Sequence, residues 1–94
     1  MSMTIHDFLI MVENNLRHDF SDWVEIKLKE DNNGNYFHFK MDDYNIYLPA
    51  REFYSDYIMD GNDFNEYLAQ SVAKRIENTV AKIYIKRLFK ENGY

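Results

Sequence analysis

The sequence predicts an α+β domain in which helices cover one face of a three-stranded antiparallel β-meander, in the order α-β-β-β-α-α. Three observations predict it. Apolar and polar residues alternate strictly in three short runs between Val24 and Leu48. Helical spacing governs residues 4–18 and most of the chain after residue 50. The breaks between these segments fall at turn-forming pairs, at the single proline, Pro49, and at Gly61.

Helix one is expected over residues 4–18, where Ile5, Phe8, Leu9, Val12 and Leu16 form one apolar face. Thr4 and Asp7 make a capping pattern, and Met3 is placed to staple onto Phe8. Asp19 to Asp22 reads as a turn. Val24, Ile26 and Leu28 alternate with Glu25, Lys27 and Lys29, a strand near 23–30. Asn33-Gly34 is expected to supply the positive φ values of a tight hairpin. Phe37, Phe39 and Met41 alternate with Tyr36, His38 and Lys40 in a second strand near 36–41, and Asp42-Asp43 turns into a third near 44–48. One face of this meander is apolar and must be covered.

Pro49 ends the third strand, since it lacks an N–H, and suits the first turn of a helix. Phe53, Tyr54, Tyr57 and Ile58 recur at helical spacing near 50–60, with Gly61 placed to close that helix. Asp63 with Glu66 forms a capping-box pattern, followed by Phe64, Leu68, Val72, Ile76 and Val80 at steps of four. Past Glu77-Asn78-Thr79 the apolar stripe jumps: Lys82, Lys86 and Lys90 fall near the first face, while Ala81, Ile85, Leu88 and Phe89 point elsewhere. A break capped by Asn78 or Thr79 is expected. The alternative is a continuous helix whose last turns dock on another surface.

The 94 residues, 46% apolar and 17% aromatic, suit one compact domain over residues 1–94 and exceed what a disordered chain carries. Absence of cysteine excludes disulfides and thiolate zinc sites. The longest early apolar run, Phe8 to Val12, is too short for a signal peptide or a membrane span, so a soluble, cytoplasmic protein is expected. His6, His18 and His38 lie on separate elements without metal-ligand spacing. The Asp31-Asn33-Gly34 pattern lacks the first and last ligands of a calcium loop. No phosphate-cradling glycine loop or nucleophile elbow occurs. Neither an enzyme nor a cofactor is expected.

Charge is the most informative feature. Residues 1–70 hold 14 acidic and 5 basic side chains, net −9; residues 71–94 hold 2 acidic and 6 basic, net +4. Glu52, Asp56 and Asp60 repeat every four residues as one ridge, at a spacing where like charges destabilise a helix by a few tenths of a kcal/mol per pair. Asp42, Asp43, Asp63 and Glu66 extend the acidic set, and the span 42–66 carries these seven acids against one base, Arg51. Carboxylates one helical turn apart approximate the phosphates of a nucleic-acid strand. The basic end offers Lys82, Lys86, Arg87 and Lys90 either as dipole partners or as a nucleic-acid footprint.

The pattern Ile46-Tyr47-Leu48, Phe53-Tyr54, Tyr57, Gly61, Asp63-Phe64 and Leu68 resembles a motif in small proteins of Gram-positive gut bacteria grouped as a domain of unknown function. The likeness extends in element order over residues 4–76 and implies no activity. Size, acidity, element order and the Asn-Gly hairpin are similar to small phage anti-CRISPR proteins acting on type II nucleases. That resemblance implies an inhibitor imitating DNA at the site that reads the PAM. The expected function is therefore a protein-binding module of phage or mobile-element origin that occupies the basic surface of a nucleic-acid-handling protein. Tyr47, Tyr54 and Tyr57 are candidate aromatic anchors. Direct nucleic-acid binding through the basic end is the alternative, and a structural subunit self-associating through Ile85, Leu88 and Phe89 is a third.

Overall fold

The structure, a computed structural model, describes residues 3–91. α1 (Ile5–Asp19) leads into β1 (Glu25–Asp31), β2 (Gly34–Met41) and β3 (Tyr44–Pro49), then α2 (Arg51–Met59) and α3 (Glu66–Glu91), the expected α+β order. The strands form an antiparallel meander in the order β1-β2-β3. Its register lines up Ile26, Phe39 and Ile46 in one row and Leu28, Phe37 and Leu48 in the next. All of these are buried in one core except Leu28, which is half-buried against it. From the helices, Phe8, Leu9, Val12 and Leu16 of α1 and Leu68, Val72, Ile76 and Val80 of α3 complete that core. Ile5, expected on the α1 apolar face, is 40% exposed and instead borders a surface hollow with Ile58 and Met59.

The turns differ in detail from expectation. Asp31 pairs with Gly34, so the first hairpin turns at Asn32-Asn33. Only Gly34, at φ +116°, takes the positive value, because the Asp31 carboxylate accepts the Asn33 N–H at 2.8 Å and holds that residue in an Asx turn. In the second hairpin Asp42 sits at φ +56°, a conformation short polar residues tolerate. Pro49 ends β3 and does not open α2, which starts two residues later. Gly61, at φ +91°, closes α2 as expected, its N–H and that of Asn62 reaching back to Ile58 and Tyr57 carbonyls.

Two expectations about α3 are corrected. Its cap is Asn65, whose Oδ1 accepts the Leu68 N–H at 2.9 Å, while Asp63 supplies only a backbone carbonyl to the Asn65 amide. And α3 runs unbroken for 26 residues, about 39 Å at 1.5 Å per residue. Thr79 does not cap a second helix; its hydroxyl bonds back to the Arg75 carbonyl at 3.0 Å within the first. The jump in the stripe reflects a second docking surface. After Val80 the half-buried Ile83 and Tyr84 still pack against the core, and Tyr84 Oη donates to Asp42 at 2.9 Å while Arg87 Nη1 donates to the Asn45 carbonyl at 2.8 Å. Tyr44 Oη donates to Glu91 in the last described turn. With no Gly or Pro between Glu66 and Glu91, Asn78 and Thr79 weaken the helix only by tenths of a kcal/mol each.

The cap assignment is directly testable. Asn65→Ala is expected to lower the unfolding free energy by about 1 kcal/mol in urea titrations, whereas Asp63→Ala stays within about 0.5 kcal/mol of the parent.

Candidate functional site

α2 is a short helix fixed at both ends and by one buried side chain. It follows the buried Ala50 and has no side-chain cap at its N-terminus. Phe53 anchors it in the core, and Gly61 stops it. Glu52, Asp56 and the C-cap residue Asp60 are all exposed, in line along its outer side. Among the described residues none of the three forms an ion pair, although Glu13, Asp19 and Glu77 each find a basic partner. The last turn of α2 has no basic residue, so Asp56 and Asp60 oppose the helix dipole as well as each other.

The wider acidic set does not form one surface. Asp63 lies in the connection that follows Gly61 and Glu66 opens α3, and both are exposed. Asp42 and Asp43 precede β3, at the opposite end of its six residues from Pro49 and about 20 Å from it at roughly 3.3 Å per residue. Asp42 is moreover engaged by Tyr84, whose phenol it pushes up by accepting its proton in a hydrogen bond. The acidic turn thus meets the basic end of α3 and not the ridge.

The expected anchors divide as well. The Tyr54 ring packs edge-on against Phe8 and Phe64, and burial pushes its phenol up. Tyr57 lies half-buried beneath the Arg75 guanidinium, 5.4 Å from its ring centroid. Both serve the α2 packing; only Tyr47, 58% exposed, is presented to solvent. Two side chains that sequence reasoning passed over are presented more fully still. Met59 and Tyr67, 84% and 83% exposed, flank the α2–α3 connection. The signal for Tyr67 was available: it stands one residue off the four-step stripe of Phe64, Leu68 and Val72.

The basic end is only partly a patch. Arg87 is committed to the Asn45 carbonyl, while Lys82, Lys86 and Lys90 remain exposed in one row along α3. A second group of cations was hidden in the strands. Lys27, Lys29 and Lys40 stand on the uncovered face of the sheet beside Tyr36, His38 and Tyr47.

One cation is shared by two carboxylates. Lys74 Nζ lies 3.6 Å from Asp19 and 3.7 Å from Glu77, at the seam between α1 and α3. Burial, then the adjacent Asp19 carboxylate, pushes Glu77 from 4.5 up to about 7. The hydrogen bond from His18 leads the effects that hold Asp19 below its ordinary value. Among the described residues no cluster of His, Asp or Glu is arranged to hold a metal ion, and no helix is long and apolar enough to cross a membrane.

A carboxyl whose folded value is raised keeps its proton after the unfolded chain has released its own, so its contribution to stability is lost as pH rises from about 4.5 to about 7. The lowered Asp19 acts in the opposite sense, at more acidic pH. Urea melts are therefore expected to give a lower stability at pH 7.5 than at pH 5.5, and Glu77→Gln, neutral at every pH, to remove that difference.

Comparison with known protein families, curated proteins and solved structures found no match for this chain.

Proposed function

We propose that the chain is a non-enzymatic binding module whose acidic ridge on α2 occupies a basic, nucleic-acid-handling surface on another protein. One observation carries this reading. Glu52, Asp56 and Asp60 are exposed and unpaired among the described residues, and Asp56 and Asp60 stand at the helix end whose dipole they oppose, next to the exposed Met59 and Tyr67. A surface shaped only for stability would pair Asp56 and Asp60 or place a cation in that last turn, as Glu52 is placed favourably in the first. Charge complementarity would steer the encounter, and the Met59 and Tyr67 side chains would supply the apolar contact that long-range attraction lacks. Asp63 and Glu66 belong to this surface; Asp42, Asp43, Tyr54 and Tyr57 do not.

The likeness to DNA-imitating inhibitors of type II guide-RNA nucleases names the first partner to try. The row is one helical turn per charge, an approximation to successive phosphates. The alternative, a nucleic-acid footprint on α3, retains three lysines after Arg87 is removed from it.

The test is titration of such a nuclease, loaded with its guide, with the wild-type chain and with the triple variant E52K/D56K/D60K. Wild-type protein is expected to bind and to block DNA cleavage. The variant should bind at least about tenfold more weakly at low salt, with a melting temperature within a few degrees of the parent, as for other surface changes. Unchanged affinity of the variant, or no binding by the parent, would rule out this mechanism for that partner class.

A further inference from the structure

We infer that the uncovered face of the sheet binds single-stranded nucleic acid, stacking bases on Tyr36 and Tyr47 while Lys27, Lys29 and Lys40 meet its phosphates. The inference is independent of the acidic ridge. It follows from what the strand register assembles. Period-two alternation sends Phe37, Phe39, Ile46 and Leu48 to the core. The alternate positions then form three rows across the open face: Lys29, Tyr36 and Pro49; Lys27, His38 and Tyr47; Glu25, Lys40 and Asn45. Successive rows lie about 7 Å apart, two residues along a strand.

The rings on this face are arranged for stacking. His38 lies parallel to Tyr47, with centroids 4.6 Å apart and an interplanar angle of 8°, and its Nε2 is 2.8 Å from the Asn45 side-chain oxygen. Tyr36 is tilted toward Tyr47 with a centroid separation of 6.1 Å. With one side against His38, the 58% exposed Tyr47 keeps ring surface open to a planar ligand. At the hairpin end a surface hollow of about 310 Å³ is bounded by Tyr36, Tyr47 and Pro49, with Asp31, Asn33 and Asn35 on its polar side. That volume is at the lower end for small-ligand sites. Apolar rings below and amide or carboxylate groups at the margin are the chemistry that holds an unstacked base and reads its edge.

Charge favours the same occupant. Of the five basic residues in the acidic first 70, three are Lys27, Lys29 and Lys40. All are exposed, and none forms an ion pair among the described residues. Only Glu25 and Asp31, at the two ends of β1, put acids in these alternate positions. Lysines thus outnumber acids on this face, three to two, with both acids at its margins, so a local excess of positive charge stands on a net-acidic protein. A cross-strand pair such as His38 with Tyr47 also stabilises the sheet itself, so the test must separate stability from binding.

Fluorescence anisotropy with labelled single-stranded DNA, single-stranded RNA and a DNA duplex, each about twelve nucleotides or base pairs, makes that separation. The parent is expected to bind at least one single strand more tightly than the duplex, the two single-strand arms distinguishing DNA from RNA. K27Q/K29Q/K40Q should flatten the log–log salt dependence by about 2, three contacts at roughly 0.7 each. Y47T, which keeps a β-branched residue in the strand, should weaken binding about tenfold or more, with circular dichroism confirming that each variant is folded. K82Q/K86Q/K90Q should bind like the parent. No binding by the folded parent at low salt would overturn the inference. So would preference for the duplex, loss confined to the α3 variant, or capture of an acidic protein by this face with no affinity for either single strand.

Discussion

A three-stranded sheet has one apolar face to cover and two edges to close; here the central strand sets the first problem and β1 and β3 the second. Phe37 and Phe39 are fully buried on β2. Each is worth about 1.5–3 kcal/mol on burial, more than most exposed ion pairs in the molecule. α1 and α3 are therefore held mainly by apolar burial, with polar contacts deciding how they sit. Those contacts go to the sheet edges. On β1, Glu13 accepts the Leu28 N–H at 2.7 Å and Arg17 donates to the Ile26 carbonyl at 2.9 Å. On β3, Arg87 reaches the Asn45 carbonyl from the far end of α3. Backbone groups that a fourth strand would have satisfied are met in part by helix side chains.

This economy explains the charge split better than either sign does alone. Arg75 and Arg87, counted with the basic end in sequence, are spent on the Phe53 and Asn45 carbonyls. Lys74 bridges two carboxylates at the α1–α3 seam. What remains exposed is sorted by surface: acids along α2, lysines along the last turns of α3, and a second set of lysines among rings on the open sheet. Exposed charge is thus distributed over three faces of a small domain.

The meander was legible because its period of two is interrupted only by turn pairs, and a slip of one residue would have put Phe37 and Phe39 in water. The exact centre of the first hairpin was not, because Asn33 and Gly34 both tolerate positive φ and the choice belongs to the Asp31 carboxylate. Continuity of α3 was hidden for a different reason. A shift of the apolar stripe looks the same whether the helix breaks or meets a second surface, and that surface is made by Asp42, Tyr44 and Asn45, some forty residues earlier. The α2 ridge was legible because its members are four residues apart on one element. The stacked face was not: Tyr36 and His38 occupy outward positions of β2 and Tyr47 one of β3, and only pairing of the two strands brings them together.

The bond from Arg87 to β3 also makes the long helix a guard on self-assembly. Tyr44 to Leu48 is an uncharged run rich in β-forming residues at an edge, the kind of segment onto which another chain can add. Fraying or clipping of α3 beyond Val80 would withdraw Tyr84 and Arg87 together and leave that edge unattended. The fully buried residues end at Val80, so loss of the last helical turns would uncover this edge while sparing most of the core.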